Sequence, residues 1–244
     1  MPKLKTLTIC LLFAFSHCVS SDILVDRSVI DVVAGETRRS DFHILNQGDS
    51  PSDISIDVSR VVNPGLPDEE RISPDNPREM GLLATPRQFT LAPGERRKVR
   101  LSFLHLPADT DSIYRIRVKP TAAPADPSGQ ANMIKVIFHY ELLVIYRPPA
   151  PVSRYNVSAS EHKLNFEHEG NSNFLLYAGR QCLGQSEENC QPLPAKRVYK
   201  GASHSFELAP DTRYVHFLFK DSDEAKLLEF CGKPLKSCTV KASR

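Results

Sequence analysis

The sequence predicts an all-β chain of two sandwich domains. Three observations support this. Short apolar runs recur at period two, Pro exceeds Gly by 19 to 11, and no ten-residue stretch shows a helical period. Proline is hostile to helix interiors but punctuates strands and turns. Tryptophan is absent, so the 12 Phe and 7 Tyr must supply the aromatic packing.

The first strand region runs from Ile23 to Val33. Arg38 to Leu45 follows, with Phe42 and Ile44 at period two. Ile54, Ile56 and Val58 alternate with Ser55, Asp57 and Ser59, the pattern of a half-buried strand. Asn63 to Asn76 reads as a loop rich in Pro and acid. Pro86 interrupts Leu82 to Leu91 and predicts an edge or sheet-switching strand there. Pro93–Gly94 is a turn signal, and Val99, Leu101 and Phe103 alternate after it. Ile113 to Val118 alternates again. Thr121 to Gln130 is a Pro/Ala/Gly loop, and Ala131 to Tyr146 is the longest strand candidate.

Seven strands in ~120 residues, with turn signals between them, predict an immunoglobulin-like sandwich over residues 22–148. Pro148, Pro149 and Pro151 cannot continue a ladder, so the boundary falls there. Residues 149–244 form a second, smaller β-sandwich domain. Its clearest runs are Asn173–Tyr177, Ser203–Leu208, Tyr214–Phe219 and Leu227–Phe230. A domain of ~90 residues has a limited core, for which disulfides compensate.

Residues 1–21 read as a signal peptide. Lys3 and Lys5 start it, Leu7 to Phe15 is apolar, and small residues precede a cleavage point after Ser20 or Ser21. The apolar run is too short to span a bilayer, and no other stretch is a candidate, so no stable membrane insertion is expected. Loss of Lys3 and Lys5 takes the formal charge from +2 to 0, which argues against a nucleic-acid partner. Cys10 and Cys18 leave with the signal. Cys182, Cys190, Cys231 and Cys238 remain, as two close pairs. In an oxidising compartment they read as disulfides. Sequence alone permits three pairings, and proximity favours 182–190 with 231–238. Their spacings do not suit zinc, and no metal or cofactor is expected. No nucleophile elbow or His-Glu-x-x-His helix is present, and the histidines are scattered, so the chain does not read as an enzyme.

Four segments taken in order carry a family resemblance. They are Asp26–Arg27–Ser28 with Gly35; Ala84–Thr85–Pro86 with Leu91–Ala92–Pro93–Gly94 and Val99–Arg100–Leu101; Ile145–Tyr146–Arg147–Pro148; and Cys231 to Cys238. They resemble the PapD-like periplasmic pilus chaperones over nearly all of the mature chain. Asn63–Pro64–Gly65 with Glu69–Glu70, and Tyr114–Arg115–Ile116, look like the alternate chaperones of class 5 fimbriae.

The resemblance implies two immunoglobulin-like domains in an L-shaped, boomerang arrangement, and export to the periplasm. It implies partners: pilus subunits that lack a strand, and an outer-membrane usher. The chaperone lends its G1 strand, here Ile134 to Tyr146, which is β-augmentation. Ile134, Val136, Phe138 and Tyr140 lie at period two and would face the subunit. Ile137, His139 and Leu143 would face the chaperone's own core or flank it.

The family also anchors the subunit's terminal carboxylate with two basic residues in the interdomain cleft. Here Leu143 and Val29 stand at those places, so the anchor must be rebuilt, with Arg27, Arg115 and Lys135 as candidates. The counterpart of Arg147 ties the domains together through acidic partners, matched here by Asp111 and Asp221. An exposed apolar edge would also suit a self-capping homodimer. The competing reading is a structural fimbrial subunit or minor adhesin. Such a chain needs both a donor extension and a first strand, and Asp22 to Ile30 is too short for both.

Overall fold

The computed structural model describes residues 22–107, 109–121, 138–184, 189–222 and 224–238. In the first half, β1 (Ile23–Val25), β2 (Val29–Val33), β3 (Arg39–Asn46), β4 (Ser52–Val62) and β5 (Glu70–Ile72) precede a single helical turn, α1 (Pro77–Met80). β6 (Leu82–Thr85), β7 (Gln88–Leu91), β8 (Arg96–Phe103), β9 (Ser112–Thr121) and β10 (Tyr140–Arg147) follow. One sheet has the order β1-β3-β8-β6. The other runs β2-β10-β9-β4-β5, with β7 also on β4.

The run Ile23–Val33 is two strands rather than one. Asp26 to Ser28 carries the chain from the first sheet to the second. There Asp26 accepts hydrogen bonds from the His43 backbone N–H and pairs with its ring Nδ1, each at 2.8 Å. Pro86 likewise marks a crossing: β6 pairs with β8 in one sheet, and β7 pairs with β4 in the other. Strands that change sheets in this way close the corners of a sandwich.

Period-two patterning sets the core. Phe42, Ile44, Ile56, Val58, Val99, Leu101, Ile116, Val118, Leu142 and Val144 interdigitate between the sheets. Tyr146 stacks on Phe103 with ring centroids 4.0 Å apart.

The second half contains β11 (Tyr155–Ala159), β12 (Lys163–His168), β13 (Phe174–Cys182), β14 (Cys190–Leu193) and β15 (Lys196–Val198). β16 (Ser203–Glu207), β17 (Tyr214–Lys220), β18 (Lys226–Cys231) and β19 (Lys236–Ser237) complete it. A three-stranded sheet, β11-β12-β16, packs over a six-stranded one built on β14-β13-β17-β18-β19, with β15 on β13. Phe166 sits at the centre. It meets Phe206, Phe217 and Phe230 edge-on at centroid distances of 5.8–6.0 Å. These rings do the packing that the missing tryptophan would otherwise do. Cys182 is bonded to Cys190 and Cys231 to Cys238, each bridging a short hairpin at one end of the larger sheet.

No helix of the described residues is long and apolar enough to cross a membrane. The proposed signal peptide, residues 1–21, lies outside the described residues.

Candidate functional site: the leading edge of β10 and the interdomain cleft

β10 lies between β9 and β2, but β2 covers only part of it. The antiparallel register with β9 runs from Tyr140↔Val118 to Tyr146↔Ser112. The parallel register with β2 begins at Leu143↔Val29 and ends at Arg147↔Val33. Leu143 N–H donates to Ser28 O, and Ala34 N–H donates to Arg147 O. Odd-numbered residues of β10 therefore turn their backbone groups toward β2. Glu141, two residues earlier, turns its pair past the start of that strand.

The side chains follow the same alternation. Leu142, Val144 and Tyr146 belong to the sandwich core, and Tyr140 packs against it. The Tyr140 hydroxyl donates to Ile23 O. This corrects the expected parity. The even-numbered face of β10 is the chain's own core face. Leu143 is buried instead on the opposite side, in a cluster with Val61, Ile113, Ile145 and Tyr199. The even-numbered row runs along the core and then off its end. Phe138, its outermost described member, is 48 % exposed. Ile134, Val136, Ile137 and Lys135 lie outside the described residues.

The cluster around Leu143 floors the cleft between the two halves. Burial pushes the Tyr199 phenol above its ordinary 10, against the pull of Arg197 and Arg115 beside it. Burial likewise pulls the Arg197 guanidinium below its usual value. Arg197 Nη1 donates to Asn173 Oδ1 at 2.5 Å.

Arg147 ends β10 and is fully buried. Its five N–H groups are all engaged. Nε and Nη2 grip the two oxygens of Asp31 at 2.7 and 2.8 Å. Nη1 reaches Ser172 Oγ at 2.6 Å and Asn173 O at 2.8 Å, and Nη2 also reaches Asp221 O at 3.3 Å. The acidic partner is thus Asp31, on β2, rather than Asp111 or the side chain of Asp221. Asp221 contributes its backbone carbonyl. Asp111 takes a parallel part, accepting from Ser172 Oγ and from the backbone and side-chain amides of Asn173 at 2.6–2.7 Å. Sequence reading missed Asp31, Ser172 and Asn173, which nothing local distinguishes.

Of the anchor candidates, Arg27 lies at the β1–β2 crossing, half exposed and 3.9 Å from Asp26. Arg115 stands opposite Leu143 on β9. Its Nε is buried without a hydrogen-bond partner, and the nearest carboxylate oxygen, on Glu141, is 3.8 Å away. No cluster of His, Cys, Asp and Glu among the described residues could hold a metal ion.

A parallel β2 beside β10, a sheet-crossing segment ahead of it and a buried arginine closing β10 form one arrangement. The sequence model of the pili and flagellar-assembly chaperones, PapD N-terminal domain, matches residues 23–151, more than half of the chain. The chain belongs to this chaperone family. Solved chaperone structures share its two-domain β-sandwich fold. The class 5 fimbriae chaperone CfaA is 17 % identical, with 86 % of this chain and 98 % of that one covered at a TM-score of 0.60. A chain from the Salmonella enterica SafA pilin–SafB chaperone complex is 13 % identical, with 87 % and 97 % covered at 0.64. The periplasmic chaperone SfaE is 11 % identical, with 85 % and 98 % covered at 0.58. No curated protein sequence matches the chain.

Proposed function

We propose that this family member works in the periplasm, exported by residues 1–21, as a non-enzymatic chaperone for pilus subunits. It holds a subunit by adding the leading part of β10 to the subunit's incomplete sheet, and it passes the subunit to an outer-membrane usher. The observation that carries this reading is the row ending in Phe138. β10 begins three residues before its pairing with β2, and Phe138, two residues ahead of the strand, is a large exposed apolar side chain. Such an edge supplies the backbone bonds and alternate side chains that β-augmentation requires. Ile134, Val136, Phe138 and Tyr140 share one parity. The subunit groove would extend the same face that packs the chaperone's core.

Arg115 is the best-placed anchor for a subunit's terminal carboxylate. It borders the cleft opposite Leu143, and its Nε is buried without the hydrogen-bond acceptor that a carboxylate would supply, Glu141 standing off at 3.8 Å. We assign the chain to the alternate, class 5 subgroup on Asn63–Pro64–Gly65 with Glu69–Glu70 and on Tyr114–Arg115–Ile116.

Co-expression with a candidate subunit tests the reading. The expected product is a soluble one-to-one complex, lost when Val136 and Phe138 are both replaced by Asp. A complex that survives the double substitution would disprove the donor-edge assignment. Replacing Arg115 by Gln should reduce recovered complex about tenfold, the scale of one charge-assisted hydrogen bond.

A further inference from the structure

The two halves meet at a second place, away from Arg147. After β4, residues 63–69 form a turn that its own side chains hold. Asn63 Nδ2 donates to Asp68 Oδ2, and the Gly65 N–H donates to Glu69 Oε2, each at 2.7 Å. The backbone N–H groups of Leu66 and Glu69 donate to Asn63 O and Leu66 O, each at 3.1 Å. Asn63 has φ of 50° and Gly65 of 76°, left-handed values that Asn and Gly adopt most readily. The shape of this turn is thus set by bonds within it.

A second turn, after β15, faces the first. The Ala202 N–H donates to Tyr199 O at 3.0 Å, with Gly201 at φ of 76° between them. The two turns exchange side chains. Leu66 packs against the core of the second domain, in the cluster that contains Ala202. Tyr199 packs the other way, against Val61, Ile113, Leu143 and Ile145 of the first domain. Gly65 has no Cβ, and the Tyr199 ring lies against it.

The place of this exchange gives it leverage. The sheet order β2-β10-β9-β4 puts Asp31, the partner of Arg147, on β2, and the 63–69 turn follows β4, three strands away. Three interstrand spacings are about 14 Å. A single fastening allows rotation about itself. Two fastenings that far apart fix the angle between the bodies they join. Relative motion is the default for domains that share a small interface, and an apolar exchange beside a buried polar tie removes it.

We propose that the 63–69 and 199–202 turns form a latch that locks the two domains at one angle, so that the cleft is a preformed, rigid receptor. With the latch undone, Arg147 becomes the pivot of a hinge. The latch is a property of the chain alone and holds whatever the cleft binds.

Amide residual dipolar couplings of the mature chain in a dilute liquid-crystal medium test this. Couplings from both domains should fit one alignment tensor in the parent. In Leu66→Ser, and separately in Tyr199→Ser, each domain should still fit its own fold but require its own tensor. The two tensor magnitudes, equal in the parent, should then diverge. The double variant should resemble either single one, because both side chains serve one contact. If one variant fails to fold, the parent and the other variant still decide. Two tensors in the parent would mean that the domains move with the latch closed. One shared tensor in the folded variants would mean that Arg147 alone fixes the angle. Either result would overturn the proposal.

Discussion

At the scale of single residues, Arg147 decides how the two halves meet. A buried guanidinium is tolerable only if its donors are satisfied, and here β2, the Ser172–Asn173 segment and Asp221 share them. Replacing Arg147 by Met would leave the buried side of Asp31 without its donor. The expected cost is about 3 kcal/mol in denaturant unfolding. The tie was legible in the sequence from the Tyr–Arg–Pro motif, but its partner was not. Asp31 is 116 residues away, and only the parallel register that sets Asp31 beside Ile145 brings it within reach. Another residue gives a pH signature. Burial, with the charge of Lys196, pulls His204 below its ordinary 6.5. The unfolded chain then takes up a proton before the folded chain does, so stability falls as pH drops below 6.5 toward the folded value. His204→Gln should flatten the fall in melting temperature as the pH drops below about 6.5.

At the scale of elements, the turn after β4 reaches across to the second domain. Leu66 packs against that domain's core, and Gly65 lies against Tyr199. Gly65 has φ of 76°, and a Cβ there would stand 2.9 Å from Tyr199 Cδ2. Gly65→Ala should destabilise by about 1–2 kcal/mol, through left-handed strain and displacement of the Tyr199 ring, read by chemical unfolding. The sequence marked this stretch as a loop but held no sign that it braces the interface. β10 shows a different limit of sequence reading. Its existence and end were plain from the apolar run and the prolines. Its facing was misassigned because Leu142 to Tyr146 is apolar on both sides: one side is the sandwich core and the other the cleft. A strand buried on both faces carries no alternation to read. Leu142, within β10, and Phe138, just ahead of it, should respond differently to substitution. Leu142→Ala should cost about 2–4 kcal/mol, whereas Phe138→Asp should alter stability by less than about 0.5 kcal/mol, both by denaturant titration.

At the scale of the molecule, the two sandwiches have separate cores, and the cleft between them has an apolar floor and a basic rim. Leu143, Ile145, Val61, Ile113 and Tyr199 make the floor, with Arg115 and Arg197 beside it. β10 links the parts. Its tail holds the domains through Arg147, its middle floors the cleft, and its leading part runs beyond β2 while staying paired with β9. Hydrogen exchange, with and without a bound pilus subunit, tests this division of labour most directly. Residues 143–147 should exchange slowly in both states, since β2 and β9 already hold them. The Glu141 N–H, which turns past the start of β2, should exchange readily in the free chain, and residues 134–139 with Glu141 should gain strong protection in the complex. Protection that fell instead on the first sheet, or left residues 134–139 and Glu141 unchanged, would contradict the account.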